Sequence, residues 1–287
     1  MNINQKQSIW GHLEELATRL RRALTALAIV TFVIMSAPAD LTRILKLNFS
    51  GYQPLISRVL EIIQDSLLPR EVELIAFNWL DPFYIYFLVA FTIAFLVTLP
   101  YLSWELFKFV NPALYEFEKR GIFSFVFVVL LLFGVGATYA WCFLLPTTFN
   151  VLYNFVSQSR VLPIFAVKDF YDMVAFGILG SGSFYTFPVI IWLLVKADLL
   201  EVETLKNNRK GIFTGLLILT AILTPDPTPF TMLLMSVPFY ILYELTIQIL
   251  QRISPDPERK AIKKGLLASR RFLTQKKESK KIGTQTS

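Results

Sequence analysis

A chain of 287 residues that is 54% hydrophobic and only 17% charged is not composed like one or two soluble domains. Its net charge of +7 and its single cysteine, Cys142, respectively require no nucleic acid and rule out an intrachain disulfide. Three charge-free runs, Pro82–Trp104, Gly121–Ser159 and Met173–Val195, point instead to an all-α polytopic membrane protein, since a spanning helix needs about 20 apolar residues.

Met1–Arg22 reads as an amphipathic surface helix, with Ile9, Leu13, Leu16 and Leu20 at three- and four-residue spacing and Trp10 suited to the interface. A short first span follows, from about Ala23 to Ala37. The segment also mimics a secretory signal ending in Ala37-Pro38-Ala39, but Pro38 inside the proposed cleavage site favours retention. Asp40–Asp81 is a long external loop. Within it Leu55, Ile56, Val59, Leu60, Ile63 and Leu67 predict a helix that lays one face on the bundle.

Asp81 is the expected N-cap of span two, with Pro82 at the first helical position, where its missing N–H is no loss. Pro100–Arg120 then forms an aromatic corner at the membrane surface. Asn111-Pro112 breaks it into two short pieces, because the residue before a proline is pushed out of the helical region. Span three runs from about Gly121 to Leu145 and is stopped by Pro146, and Thr147–Phe170 is a second external segment. Span four, about Tyr171 to Val195, carries Gly177, Gly180 and Gly182, which let another helix approach closely, and Pro188. Lys196–Lys210 connects it to span five, Gly211–Leu223, which is only about 20 Å long. A proline-rich turn from Thr224 to Pro229 leads into span six, ending near Leu250. Residues 1–253 thus form one six-span membrane domain, and 254–287 form a basic, loosely ordered tail.

The four segments Met1–Arg22, Trp104–Arg120, Lys196–Lys210 and Gln251–Ser287 hold 22 of the 28 lysines and arginines. The positive-inside rule therefore predicts six transmembrane helices with N and C termini cytoplasmic. Enzyme signatures are lacking. His12, the sole histidine, lies outside the spans, Gly180-Ser181-Gly182-Ser183 reads as a packing face, and no phosphate-loop or metal-ligand motif occurs. No catalysis and no cofactor are expected. Ionisable groups within spans are Asp172, at an end of span four, and Glu244 in span six. For Glu244 a polar contact with another membrane helix and a snorkelling or protonated side chain stand as alternatives. Glu15 and Arg19, four residues apart, fit a local ion pair, as do Glu116 and Arg120. Several acids beside so basic a face nevertheless suggest a carboxylate site for guanidinium groups.

These residues carry a resemblance to the TatC subunit of the twin-arginine (Sec-independent) protein translocase. The matching stretches are His12-Leu13-x-Glu15-Leu16-x-x-Arg19-Leu20 and Phe109-x-x-Pro112-Ala113-Leu114-Tyr115-x-x-Glu118-Lys119-Arg120. They continue with Gly182-x-x-Tyr185-x-x-Pro188, Asn208-Arg209-Lys210, Thr224-Pro225-Asp226 and Leu242-Tyr243-Glu244. The resemblance implies a receptor for twin-arginine signal peptides of folded cargo, working with single-span TatA/TatB-like subunits as an oligomer in the lipid bilayer and driven by the proton-motive force. It implies Glu15 and Glu118 as arginine acceptors, with Phe109, Arg19, Pro112, Leu114, Tyr115 and Arg120 in the same patch. Pro54, Thr186, Thr224, Pro225, Asp226, Tyr243 and Glu244 would serve partner packing or structure. Two departures are Ala17, where the family often has a basic residue, and Thr186, where it often has an acid or amide. The Thr186 hydroxyl is expected to satisfy itself on its own helix. The Thr224–Asp226 turn also carries one extra residue before Pro238, so its alignment shifts by a position. Ser269-Arg270-Arg271-Phe272-Leu273 resembles a signal motif lacking its spacer, within what otherwise reads as an ordinary basic tail. A prokaryotic plasma membrane is expected rather than a thylakoid. The competing classes are a six-span secondary transporter of a small solute, which needs a midplane polar site, and a scaffold without transport activity.

Overall fold

The first helix, α1 (Ile9–Ser36), runs unbroken for 28 residues. The expected division near Arg22 is absent, because leucine, alanine and arginine, all strong helix formers, fill the junction and no glycine or proline interrupts it. The computed structural model describes residues 9–39, 54–110, 122–159, 162–196, 199–200, 202–223 and 228–253. The second half of the aromatic corner, the Thr224–Asp226 turn and the 254–287 tail lie outside the described residues.

The helix expected between the first two spans appears as α2 (Leu55–Leu67), with Ile56, Ile63 and Leu67 buried against the bundle as its periodicity predicts. After it, β1 (Glu73–Ile75) pairs in parallel with β2 (Ile164–Ala166), a short ladder that the sequence does not announce. Helix α3 (Asp81–Val110) opens at Asp81. Its carboxylate accepts the backbone N–H groups of Phe77 and Asn78 at 3.1 and 3.0 Å, so it ties down the turn leading in rather than the first turn of the helix.

Two prolines expected to mark boundaries do not. Helix α3 continues through Pro100 to Val110, so the first half of the corner is the end of a long helix rather than a loop. Packing decides this: Phe107 is buried with its ring 5.0 Å from that of Phe125. Helix α4 (Ile122–Tyr139) likewise passes into a π-helical turn, Ala140–Leu144, and then α5 (Leu145–Gln158) without stopping at Pro146. In the wider turn Leu145 N–H bonds Ala140 C=O, five residues back, and Pro146 falls at the start of the next helix, where its missing donor is tolerated.

Helix α6 (Val167–Lys196) packs on α3, α4 and α9 (Pro229–Ile253). A six-residue helix, α7 (Val202–Asn207), lies in the Lys196–Lys210 connection and precedes α8 (Arg209–Leu223). Close α4–α6 contact is possible because of glycine. A Cβ on Gly136 would lie 2.7 Å from the Ser181 carbonyl oxygen, and one on Gly182 would lie 2.5 Å from the Phe133 ring. Ser181 Oγ donates to the Gly136 carbonyl at 2.9 Å across the same interface. Lipid supplies little hydrophobic drive between helices, so such van der Waals contact and buried hydrogen bonding hold the bundle.

Among the described residues, Asp81–Phe109, Phe123–Gln158, Val167–Lys196 and Pro229–Arg252 are long and apolar enough to cross a membrane. Phe32, Phe127, Phe143 and Ile222 point outward, an arrangement suited to hydrocarbon and not to water. The chain is an all-α polytopic membrane protein.

Candidate functional site

Successive long helices reverse direction, so one end of the bundle collects the start of α1, the end of α3, Lys196 at the end of α6, the start of α8 and the end of α9. The candidate site lies there, between α1 and α3, which pack along each other. Glu15 and Arg19 are one helical turn apart on α1, and Glu105 enters from the last turns of α3. Arg19 donates to Glu15 Oε1 from Nε at 3.0 Å and from Nη2 at 2.6 Å. Its Nη1 donates to Glu105 Oε2 at 3.0 Å. The expected local pair is therefore present, but it is part of a three-membered bridge between helices.

Burial in this triad is graded. The Glu105 side chain is 9% exposed, Arg19 21% and Glu15 24%. Glu105 is thus the buried member, and Glu15 and Arg19 are both partly exposed. Hydrogen bonding to Glu15 is the main influence on the Arg19 guanidinium. Desolvation opposes it, Glu105 reinforces it, and the group is held above its ordinary pKa. Gly11, Glu14, Glu15, Thr18, Arg19 and Arg22 line a shallow concavity of about 340 Å3 beside the triad. Phe109 is half-buried on the same face of α3 as Glu105, four residues further on. Lys108 Nζ sits 5.0 Å over the Trp104 ring, which in turn meets Phe123 edge-on.

Pro112, Leu114, Tyr115, Glu118 and Arg120 lie outside the described residues, as do Thr224, Pro225 and Asp226. The other candidates are dispersed. Pro54 is the N-cap residue of α2 and bridges Pro38. Thr186 donates to the Ser183 carbonyl at 2.7 Å, as expected of a hydroxyl that satisfies itself on its own helix. Tyr243 is buried and donates to Leu205 C=O at 2.9 Å, fastening α7 to α9. Glu244 pairs with Arg209 at 3.2 Å and accepts from Tyr240 at 3.0 Å, so its polar contact lies within this chain. Asp172 holds Lys168 at 2.6 Å and the Tyr84 hydroxyl at 2.6 Å, at the opposite end of the bundle from Glu15.

Glu105 is the member that sequence reasoning missed. Its role depends on the register between two helices, since Arg19 and Glu105 lie 86 positions apart in the chain. Its one signal was an acid within a run of aromatics in the same corner as the candidate acceptor.

The family described as Sec-independent protein translocase protein (TatC) matches residues 11–238. The chain is 28% identical over 249 residues to TatCy of Bacillus subtilis, covering 87% of this chain and 90% of the relative. To TatC of Aquifex aeolicus it is 28% identical over 239 residues, covering 82% and 91% respectively. A solved structure described as the twin arginine translocase receptor TatC superposes with a TM-score of 0.70 at 26% identity, covering 85% of this chain and all of that one.

Proposed function

The chain belongs to the TatC family of Sec-independent protein translocase proteins, and from that membership we propose that it is the receptor subunit of a twin-arginine translocase. In this reading it binds the paired arginines of signal peptides on folded cargo at the cytoplasmic face of a prokaryotic plasma membrane. It then organises their export, driven by the proton-motive force, with single-span TatA/TatB-like subunits. Six spans with both termini cytoplasmic belong to the proposal, α1 and α8 being the two beyond the four long apolar helices.

One observation carries the reading. Glu15 already binds a guanidinium through two N–H groups, in a concavity at the end of the bundle that also holds Lys108, Lys196, Arg209 and Arg252. Paired hydrogen bonds of this kind recognise arginine, whereas lysine offers only a point charge. Glu118 is the second proposed acceptor, with Phe109, Pro112, Leu114, Tyr115 and Arg120 completing the patch. The Thr224–Asp226 turn and Glu244 are proposed to lie where partner helices pack.

A small-solute transporter lacks support. Thr31, Thr92, Thr98 and Ser103, buried along α1 and α3, all donate to carbonyls of their own helices. Among the described residues the buried charged ones, Asp81, Glu105 and Asp172, sit toward helix ends. A midplane polar site is what such a transporter would need.

The test is binding of a twin-arginine peptide, with a lysine-substituted control, to the full-length protein in lipid nanodiscs. Glu15→Gln and Glu118→Gln are each expected to weaken binding about tenfold or more, the effect of one lost charge-assisted contact. Unchanged binding in both variants would remove the clamp. Cysteine labelling that placed Met1 and Lys119 outside the cell would overturn the orientation.

A further inference from the structure

The acceptor carboxylate of the proposed receptor is already engaged by the protein's own arginine. Arg19 spends Nε and Nη2 on Glu15 and Nη1 on Glu105, so a single guanidinium spans two carboxylates and the triad keeps one net negative charge. An arriving peptide meets Glu15 first, because Glu105 is the more deeply buried of the two. A buried carboxylate stripped of its partner is costly, which gives Glu105 a reason to keep Arg19 when Glu15 changes hands. A guanidinium can make that exchange bond for bond. An ammonium cannot, because it lacks the planar fork that Glu15 would give up.

We propose that Arg19 is a resident guanidinium that a signal-peptide arginine displaces from Glu15, that Glu105 retains Arg19 after the exchange, and that this competition sets the preference for arginine over lysine. The proposal rests on the receptor reading above and adds to it a specificity-determining residue and its anchor. Arg19 acts here as a competitor for the acceptor and not as a contact to the peptide.

The experiment compares twin-arginine and twin-lysine peptides on the full-length protein in nanodiscs. The variants are Arg19→Gln, Arg19→Lys, Glu105→Gln, the double variant Arg19→Gln/Glu105→Gln, and Arg22→Gln. Arg22 lines the same concavity and reports the effect of removing any nearby positive charge. Arg19→Gln is expected to tighten the twin-arginine peptide about three- to tenfold and the twin-lysine peptide by more, so that the ratio between them falls. Arg19→Lys should move the ratio part of the way. Arg22→Gln should raise both affinities together and leave the ratio intact. Glu105→Gln, which leaves Arg19 to Glu15 alone, should weaken binding, and the double variant should bind as Arg19→Gln does.

The double variant also leaves no buried carboxylate unpaired, so it carries the test if Arg19→Gln fails to fold. A ratio unchanged in Arg19→Lys and in the double variant would overturn the proposal, as would weaker twin-arginine binding in either. Both results would make Arg19 a support for Glu15 instead. If Glu15→Gln abolishes binding while the Arg19 variants behave this way, only the exchange fails. If wild-type protein binds neither peptide, the receptor reading itself fails.

Discussion

At Gly182 a methyl group has no room. The nearest atom of the Phe133 ring would stand 2.5 Å from it, inside van der Waals contact. Gly182→Ala is therefore expected to force α4 and α6 apart and destabilise the protein by about 1–3 kcal/mol, seen as a lower melting temperature in detergent. Gly134→Ala is the control, since nothing lies within 4 Å of its added carbon, and it should be neutral or slightly stabilising. Thr186 is the opposite kind of residue. Its hydroxyl is spent on Ser183 C=O, so Thr186→Val should leave both stability and peptide binding close to wild type. Glu15 and Arg19 could be paired from spacing alone because their distance is set within one helix. Glu105 could not, because its partner comes from another helix.

Two of the departures from expectation fall at prolines. Pro100 and Pro146 each forbid one backbone hydrogen bond, which by local rules ends a helix. In a bundle the neighbours override the rule. The α3 helix is held past Pro100 by Phe107 against Phe125, and the π-turn at Ala140–Leu144 absorbs Pro146. Side-chain bonds do similar work between elements. Tyr139 Oη donates to Leu234 C=O at 2.8 Å, Tyr171 Oη to Leu60 C=O at 3.1 Å, and Tyr84 Oη to Asp172 at 2.6 Å. The last binds α3 to α6 through a carboxylate that is 13% exposed. Tyr84→Phe removes a donor to that charge and is expected to cost about 1.5–3 kcal/mol in a thermal melt. No measurable loss would mean that Lys168 alone compensates Asp172.

For the whole molecule, the ends of the bundle differ in charge and in what they hold. The triad, Lys108, Lys196, the Arg209–Glu244 pair and Arg252 share one end, while α2, the β1–β2 ladder and the Asp172 cluster share the other. The triad is partly exposed, so the attraction proposed for a cationic peptide is open to screening. Peptide affinity should fall as salt rises from about 0.05 to 0.5 M, over which the Debye length shrinks from about 14 to 4 Å. An affinity independent of salt would assign the binding energy to apolar contacts instead. Helix α8, at 15 residues, is about 22 Å long and shorter than the hydrocarbon core. As one of the two further spans proposed, it would favour a locally thinned bilayer on its side of the molecule.

The sequence by itself determined the class of protein, the separation of basic from neutral segments, the helix after Pro54 with its buried face, the glycine contacts of α6 and the local pairing of Glu15 with Arg19. All of these follow from composition and from periodicities within a single element. Tertiary structure alone decided that α3 outlasts Pro100, that a π-turn carries the chain through Pro146, that Glu73–Ile75 finds Ile164–Ala166, and that Glu105 stands behind Arg19. Each depends on which residues of two distant segments come level with one another. That register is set by packing between helices, and no local pattern encodes it.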